Sequence, residues 1–334
     1  MNPTAQGTLA PSRPRTANKA LVVLLIGAAA LVAGFVLPWI GFAKITLSLL
    51  AQALFDALLA TSVGFLFLQN GRVSFGQAAF FGLGGYAFGI LVARNLAGPE
   101  LALLLALAIP TLAAFLLGLV VARVTGVAHA MLTLAVGQAF YEVAFRWREL
   151  AMGDDGMSFT LPSKFFGFSA SRLQDPGVMV VLAWSILVLV LVSLTLFTRS
   201  RTGQIAAAIR DNEERARFIG YSTTVPPALV YAIAAFVAAI AGVLQAVYNG
   251  YIAPQMFHWS LSGFALIMSI IGGAKFVIGP AVGAVVLFYI KDVAGQFAEY
   301  WPAIVGGILV VVTLTMPQGI IGLAVKQWRR RQRR

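Results

Sequence analysis

The chain has 334 residues, of which 60% are hydrophobic and only 11% are charged. A soluble domain carries about a quarter charged residues, so this composition excludes a cytosolic enzyme or a secreted scaffold and indicates a membrane protein. The sequence contains no cysteine, which excludes disulfides, thiolate metal sites and thiol catalysis. The formal net charge of +12 could suggest nucleic-acid binding, but its distribution along the chain assigns it to membrane topology.

Apolar stretches about as long as a bilayer is thick follow a polar tail, 1–19. The first stretch is interpreted as a retained span, because a cleaved leader has a shorter apolar core and a small-residue cleavage site. About ten spans are predicted: 20–37, 45–68, 74–93, 101–122, 127–145, 177–197, 225–248, 259–272, 278–290 and 301–323. The stretch 259–290 holds either two short spans or one broken span, since glycines and a proline interrupt it. The sequence therefore predicts an all-α transmembrane helix bundle over 20–323, followed by a basic tail at 324–334.

Lysine and arginine are unequally divided between the two sides of this scheme. Seventeen lie on the side that holds both chain termini and seven lie on the other side. Because positive residues are retained in the cytoplasm, both termini are predicted to be cytoplasmic. The arginine-rich end, 329–334, fits binding to anionic membrane lipid better than binding to nucleic acid.

The longest predicted cytoplasmic loop, 198–224, is expected to form one helix over 202–220. Thr202 is a suitable N-cap and Gly220 a suitable C-terminal stop. Its i,i+4 charge pairs are Asp211/Arg215 and Glu213/Arg217, and its apolar stripe is Ile205, Ile209, Ala216 and Ile219. Such a helix either lies on lipid headgroups or docks into a groove of a partner protein, and its mixed charges favour docking.

The chain lacks a phosphate-binding loop of the form GxxxxGK[ST]. We therefore expect it to bind no cofactor, so that ATP and magnesium would be held by separate ATPase chains. His129 and His258 are expected near opposite membrane faces, too far apart to share a metal ion. No catalytic or metal-binding residue is predicted, because the few polar residues within spans supply no nucleophile with a base.

Ionisable groups inside spans are costly and commonly face a bundle interior, which makes Asp56 and Glu142 candidates for a translocation pathway. Asp56 could instead pair with a neighbouring helix or subunit, and Glu142 with Arg146. Gln138 lies one turn from Glu142, where hydrogen bonding between helices is the alternative. Clustered glycines indicate either close helix packing or broken spans that expose backbone to a solute. The predicted pathway residues are Asp56, Gln77, Gly84, Gln138, Glu142, Gly272 and Gly273.

Six motifs, in order, are spread over most of the chain. They are GRVSFGQAAFFGLGGY at 71–86, MLTL at 131–134, GDDG at 153–156, the TG, AIRDNE and IG groups within 202–220, the GG, GP and GA pairs within 272–284, and PQGIIG at 317–322. Together they resemble the permease subunits of bacterial branched-chain amino-acid ABC importers.

The resemblance implies that the loop helix is the coupling segment that docks into an ATPase subunit. The residues it assigns to coupling are Arg210, Asp211, Asn212, Glu213, Glu214, Arg215, Ile219 and Gly220. It further implies a second permease subunit, two ATPase subunits and a periplasmic solute-binding protein as partners, in the bacterial inner membrane. The solute would be a branched-chain or related hydrophobic amino acid.

Three positions depart from the family pattern, with Gln77, Gly64 and Lys275 standing where histidine, asparagine and glycine are common. Urea, short amides and sugars therefore remain alternative solutes. From another class, the alternative is an ion-coupled secondary transporter or channel, which would be expected to carry more carboxylates within its spans.

Overall fold

Helices dominate the computed structural model, which describes residues 15–36, 44–161, 170–297, isolated positions within 303–316, and 318–331. Its helices are α1 (Arg15–Val36), α2 (Lys44–Asn70), α3 (Gln77–Ala93), α4 (Pro99–Val121), α5 (Val127–Arg146), α6 (Arg148–Ala151), α7 (Ala170–Leu173), α8 (Pro176–Arg199), α9 (Arg201–Asp211), α10 (Glu213–Phe218), α11 (Val225–Asn249), α12 (Trp259–Gly272), α13 (Gly279–Phe297) and α14 (Gly319–Arg331). Most of the predicted tail 1–19 and much of the predicted span 301–323 lie outside the described residues.

Within the described residues, four helices are long and apolar enough to cross a bilayer, namely α2, α4, α8 and α11. Shorter apolar helices cover Val22–Gly34 within α1, the whole of α3 and the whole of α12. The chain is therefore an all-α, multi-pass membrane protein. The total of ten spans stays a prediction.

Two of the four long helices, α2 and α11, form the centre of the bundle. In each, 78% of the most apolar segment is buried, compared with 28% in α4 and 33% in α8. Helix α11 begins with prolines in its first turn and ends at Gly250, whose φ of +61° suits a helix-terminating glycine. Alanines such as Ala235 and Ala238 are fully buried along α11, and their small size lets neighbouring helices approach closely.

The third predicted span is helical only from Gln77, because residues 71–76 form an irregular connection between α2 and α3. Gly71 ends α2 with a φ of +66°, and its N–H still donates to the carbonyl of Phe67. Three hydroxyl oxygens accept from backbone N–H groups here, with distances of 3.1 Å from Phe75 to Thr133, 3.2 Å from Gly76 to Ser74 and 2.8 Å from Ala78 to Ser262. Buried backbone needs such partners at membrane depth.

The stretch 259–290 contains two helices, α12 and α13, that turn back on each other after Gly273. Gly273 has a φ of +111°, a conformation that side chains rarely adopt. A methyl group on Gly272 or Gly283 would collide with backbone of the facing helix, so the glycines permit close packing of the pair. Helix α13 continues past the predicted span end at 290 to Phe297, so Lys291, which the predicted span left outside, lies within a helix.

We refer to residues 198–224, the loop predicted to dock into an ATPase, as the coupling loop. At the opposite end of the bundle, a short antiparallel pairing joins β1 (Met157–Ser158) to β2 (Tyr251–Ile252). This pairing fastens the connection after α6 to the end of α11. Gly156, with a φ of +66°, packs closely against Tyr251 and Ile252.

Candidate coupling surface and translocation core

The loop predicted as a single helix over 202–220 contains two helices, α9 and α10, that are separated at Asn212. The backbone of Asn212 is extended, with φ −161° and ψ 102°, and its side chain accepts from the N–H of Arg215 at 2.8 Å. Asparagine favours this arrangement because its side chain caps the following helix. The start of α9 is capped by Ser200, which accepts from Gly203 at 3.2 Å, so the predicted cap at Thr202 is wrong.

The predicted stop at Gly220 is confirmed. The N–H of Gly220 donates to Arg217 and the N–H of Tyr221 donates to Ala216, which together form a Schellman motif. Gly220 has a φ of +92°, as the motif requires.

The break at Asn212 changes one of the two predicted charge pairs. Glu213 and Arg217, both within α10, form the expected ion pair at 3.2 Å. Asp211 pairs instead with its neighbour Arg210 at 2.8 Å, because the helix ends before the register that would bring Arg215 beside it.

The predicted apolar stripe is also divided. Ile209 and Ala216 are buried against the bundle, whereas Ile219 is 68% exposed. Beside it Phe218 is 91% exposed and Tyr221 is also exposed. We call Phe218, Ile219 and Tyr221 the apolar tip. An exposed cluster of large apolar side chains on a short helix is typical of a protein contact.

Two arginines fasten the coupling loop to the ends of long helices. Arg72 donates to the carbonyl of Ala122 at 2.7 Å and lies 3.5 Å from the carboxylate of Glu213. Arg210, which lies within the coupling loop on α9, donates to the carbonyl of Leu68 near the end of α2. Its stem covers Gly71, where an added Cβ would lie 2.6 Å from Arg210 Cγ. We call this set of contacts the arginine clasp.

Arg72 is largely enclosed, and its side chain is only 13% exposed. Burial lowers the pKa of Arg72 below the ordinary arginine value, while the carboxylate of Glu213 opposes that change. Arginine remains a cation at neutral pH under such a shift. The link to Glu213 is therefore a partly buried charge–charge contact that is screened less than a surface pair.

Gln77 lies at the centre of the bundle and is fully buried. The hydroxyl of Ser62 lies 3.0 Å from its side-chain amide and 2.8 Å from the carbonyl of Ala234. A hydroxyl has one hydrogen, so if Ser62 donates to Ala234 it must accept from the amide nitrogen of Gln77. In the orientation that the structure records, the amide nitrogen of Gln77 has no hydrogen-bond partner among the described atoms.

Asp56 lines a small cavity of about 30 Å³ between α2, α12 and α13. Lys291 lines the same cavity, and the two residues are near enough for their charges to interact. The ammonium group of Lys291 lies 5.7 Å from the ring centre of Phe264. Asp56 thus has an electrostatic neighbour on another helix, as one of the two interpretations of this residue expected.

Gln138 and Glu142 lie together on α5. The carboxylate of Glu142 accepts from Arg146 at 2.7 Å and from the amide of Gln138 at 3.5 Å. The side chain of Glu142 is 43% exposed. Among the described residues, therefore, this group forms a locally paired polar strip on one helix and is separate from Gln77 in the bundle core.

Gly84, Gly272 and Gly273 lie at close contacts between helices. A Cβ on Gly84 would be 2.7 Å from the carbonyl oxygen of Ala239 on α11, and one on Gly273 would be 2.8 Å from the carbonyl oxygen of Gln318 before α14. Such spacing shows close packing at these positions. Their assignment to the pathway stays a prediction.

Four residues were not selected from the sequence as site residues. Arg72 and Thr133 lie in two of the family motifs but were given no role of their own, and the hydroxyls of Ser62 and Ser262 gave no signal, because their partners are distant in sequence. Periodicity reports which face of a helix is apolar but not which polar side chains meet across helices.

A large cavity of about 810 Å³ between α4, α8 and α11 is lined almost wholly by leucine, valine, isoleucine and phenylalanine. It offers no charged group to a zwitterion, so it suits lipid chains better than an amino acid. In the part of the chain that the structure describes, no group of three or more histidine, aspartate or glutamate residues could hold a metal ion.

A multi-pass helical bundle with a two-helix loop at one end and a few polar groups in an apolar core fits the class of membrane permeases. Residues 45–314 match the family described as the permease component of branched-chain amino acid transport systems, and the chain belongs to this family.

Named relatives agree with this family. The high-affinity branched-chain amino acid transport system permease protein LivM of Salmonella typhimurium is 28% identical over 279 residues, which cover 77% of this chain and 65% of that protein. The corresponding LivH of Escherichia coli is 26% identical over 290 residues, covering 80% of this chain and 91% of LivH. The chain thus spans slightly less than two thirds of LivM. No solved structure matches it.

Proposed function

We propose that this chain is the transmembrane permease subunit of an ATP-driven importer for branched-chain or related hydrophobic amino acids. The observation that carries the proposal is the coupling loop, which presents the apolar tip beyond the bundle in a chain of this permease family. The named functions of LivM and LivH support the choice of solute.

The apolar tip is the proposed point of insertion into an ATPase subunit. Phe218 and Ile219 project from α10, which carries two glutamates and two arginines on its remaining surface. A helix lying on anionic lipid would be expected to have a basic polar face. Mixed charges around a protruding aromatic residue fit a protein groove better.

The proposed pathway passes Gln77. An amide atom without a partner is unusual in a bundle core and is expected where water or a polar solute passes. A second permease subunit would complete the pathway. Its proposed contact is α5, whose exposed residues Val127 and Met131 lie on the same face as Gln138 and Glu142.

The mechanism proposed is alternating access. A periplasmic binding protein delivers the solute to the outer mouth, and two ATPase subunits close on ATP and move the coupling loops. Nucleotide and magnesium belong to those subunits. In the bacterial inner membrane, the chain itself forms part of the solute pathway and carries the coupling loop that the ATPase subunits move.

The proposed topology has ten spans, with the coupling loop and both termini in the cytoplasm. Because the chain has no cysteine, single-cysteine variants can be labelled cleanly. Ser222→Cys in the coupling loop should react with a membrane-impermeant thiol reagent only from inside, and Thr160→Cys only from outside. Both residues are exposed. Labelling of Ser222→Cys from outside would contradict the scheme.

Transport should be measured in proteoliposomes that contain the chain together with its proposed partners, namely a second permease, the ATPase subunits and a solute-binding protein. Leucine uptake that requires ATP and binding protein would support the proposal. Uptake of urea, short amides or sugars, with no uptake of leucine, would show that the proposed solute is wrong. Uptake by the chain alone under an ion gradient would indicate a secondary transporter and contradict the ATP-driven function.

A further inference from the structure

The arginine clasp joins the coupling loop to the segment that enters the bundle core. The pair Arg72–Glu213 crosses from α10 to residue 72, whereas the pairs Arg210–Asp211 and Arg217–Glu213 remain inside the loop. Arg72 also holds the carbonyl of Ala122 at the end of α4. One guanidinium therefore contacts both the coupling loop and the end of α4.

The segment that follows Arg72 is tied to the bundle by hydrogen bonds. Thr133 of α5 accepts from Phe75, and Ser262 of α12 accepts from Ala78. Ser74 and Gly76 are buried. Residues 72–76 thus form a fastened connection that leads directly into Gln77, the buried amide of the proposed pathway.

The Arg72–Glu213 pair of the arginine clasp is more buried than the other ion pairs of the coupling loop. The side chain of Arg72 is 13% exposed and that of Glu213 is 32% exposed, compared with 69% for Arg217 and 68% for Asp211. Exposed pairs are weakened by solvent and by side-chain entropy. A displacement of α10 should therefore move residue 72 more strongly than it would if the ion pair between them were exposed.

We propose that Arg72 is a positioning residue for energy coupling, which passes movement of the coupling loop through the 72–76 connection to Gln77. The proposal rests on the proposed function and adds to it the residue that links the ATPase-facing surface to the pathway. It distinguishes Arg72 from the docking residues, because Arg72 need not touch the ATPase.

The test compares Arg72→Gln and Glu213→Gln with the wild-type chain in the full complex. For Arg72→Gln we expect the ATPase to co-purify and ATP hydrolysis to stay within about twofold, while leucine uptake per ATP falls about tenfold, a size typical of coupling between sites. Glu213 lies on the proposed docking helix, so for Glu213→Gln the expected result is only the fall in uptake per ATP hydrolysed. The exchange Arg72→Glu with Glu213→Arg should recover part of the loss. Recovery is partial because glutamate cannot donate to Ala122. If Arg72→Gln fails to fold, Glu213→Gln is the variant to measure, because Glu213 is the more exposed partner of the pair.

Arg123→Gln is the matched control. Arg123 lies beside Ala122, is exposed, and forms no ion pair among the described residues. Its replacement removes the same charge from the same face and should leave uptake per ATP unchanged.

A second measurement does not depend on the solute. Ser74→Cys introduces a single thiol into the buried connection, and its alkylation rate should change when ATP is added. Arg72→Gln should abolish that change. If wild-type complexes show ATP-dependent alkylation but no leucine uptake, the proposed solute is wrong and the inference stands.

Two results would overturn the inference. One is wild-type uptake per ATP together with ATP-dependent alkylation in Arg72→Gln. The other is loss of ATPase co-purification in Arg72→Gln, which would make Arg72 part of the docking surface.

Discussion

The hydroxyl of Ser62 on α2 lies 3.0 Å from the side-chain amide of Gln77 at the start of α3. This contact joins two helices at the bundle centre through a group that is only partly satisfied, since one amide atom of Gln77 has no described partner. Replacing a buried amide by an apolar group of similar shape removes a desolvation cost, so stability and function need not change together.

Gln77→Leu should therefore retain or raise the melting temperature of the purified chain while lowering leucine uptake at least tenfold. The apolar side chain removes the unsatisfied amide but offers no hydrogen bond to a solute or water. Thermal unfolding in detergent and proteoliposome uptake measure the two effects. Uptake at the wild-type rate would remove Gln77 from the pathway.

Gly84→Ala should destabilise the bundle by about 1–3 kcal/mol, the usual cost of overpacking. The new methyl group would meet the backbone of Ala239 on α11 at about 2.7–2.8 Å. Gly295→Ala in α13 is the matched control, because no atom lies within 4 Å of its added Cβ. That change should stabilise by roughly 0.5–1 kcal/mol through the better helix propensity of alanine. Equal stability of both variants would show that Gly84 is not a packing position.

Asp56→Asn should impair uptake or folding more than Glu142→Gln does. Asp56 is half-buried and lines a small cavity with Lys291, whereas Glu142 forms a local pair with Arg146 whose side chains are 43% and 80% exposed. Exposed pairs contribute little to stability. Adding Lys291→Met to Asp56→Asn should recover part of the loss, since both charges are then removed. Expression, thermal unfolding and uptake together test whether Asp56→Asn is the more damaging change. A larger defect in Glu142→Gln would contradict the prediction.

Phe218→Ala should weaken ATPase binding by roughly 30- to 1000-fold, which corresponds to the 2–4 kcal/mol of an interface hot spot. The side chain is 91% exposed and makes little contribution to packing within the chain. Insertion and melting temperature should therefore be unchanged. Leu96→Ala is the control, because it removes another exposed large apolar side chain, at the opposite end of the bundle. Full co-purification of the ATPase with Phe218→Ala would favour contact of the loop with lipid.

Asp211→Lys offers a charge test of the same surface. Its carboxylate is 68% exposed and pairs with Arg210, and it takes no part in the bond between Glu213 and Arg72. We expect reduced co-purification and normal insertion, because the added charge lies on the positive side of the proposed topology. Unchanged ATP hydrolysis and uptake would exclude Asp211 from docking.

Composition and apolar runs were sufficient to predict an all-α membrane bundle, because bilayer thickness and backbone hydrogen bonding restrict how a chain of this kind can fold. The stop at Gly220 and the pair Glu213/Arg217 were also predictable, since both depend on residues a few positions apart. The motifs within 45–314 were enough to indicate the family.

Other features depend on contacts between segments distant in sequence, and only the tertiary structure decided them. The break at Asn212 accompanies burial of Ile209 and Ala216 while Ile219 is left exposed. The contact of Ser62 with Gln77 joins helices whose register the sequence does not specify. The link from Arg72 to Glu213 spans 141 residues of chain. In a sequence this apolar, hydrophobic periodicity does not distinguish the lipid-facing surface of a helix from the surface that packs on other helices. Which polar groups meet is therefore decided only when the helices pack.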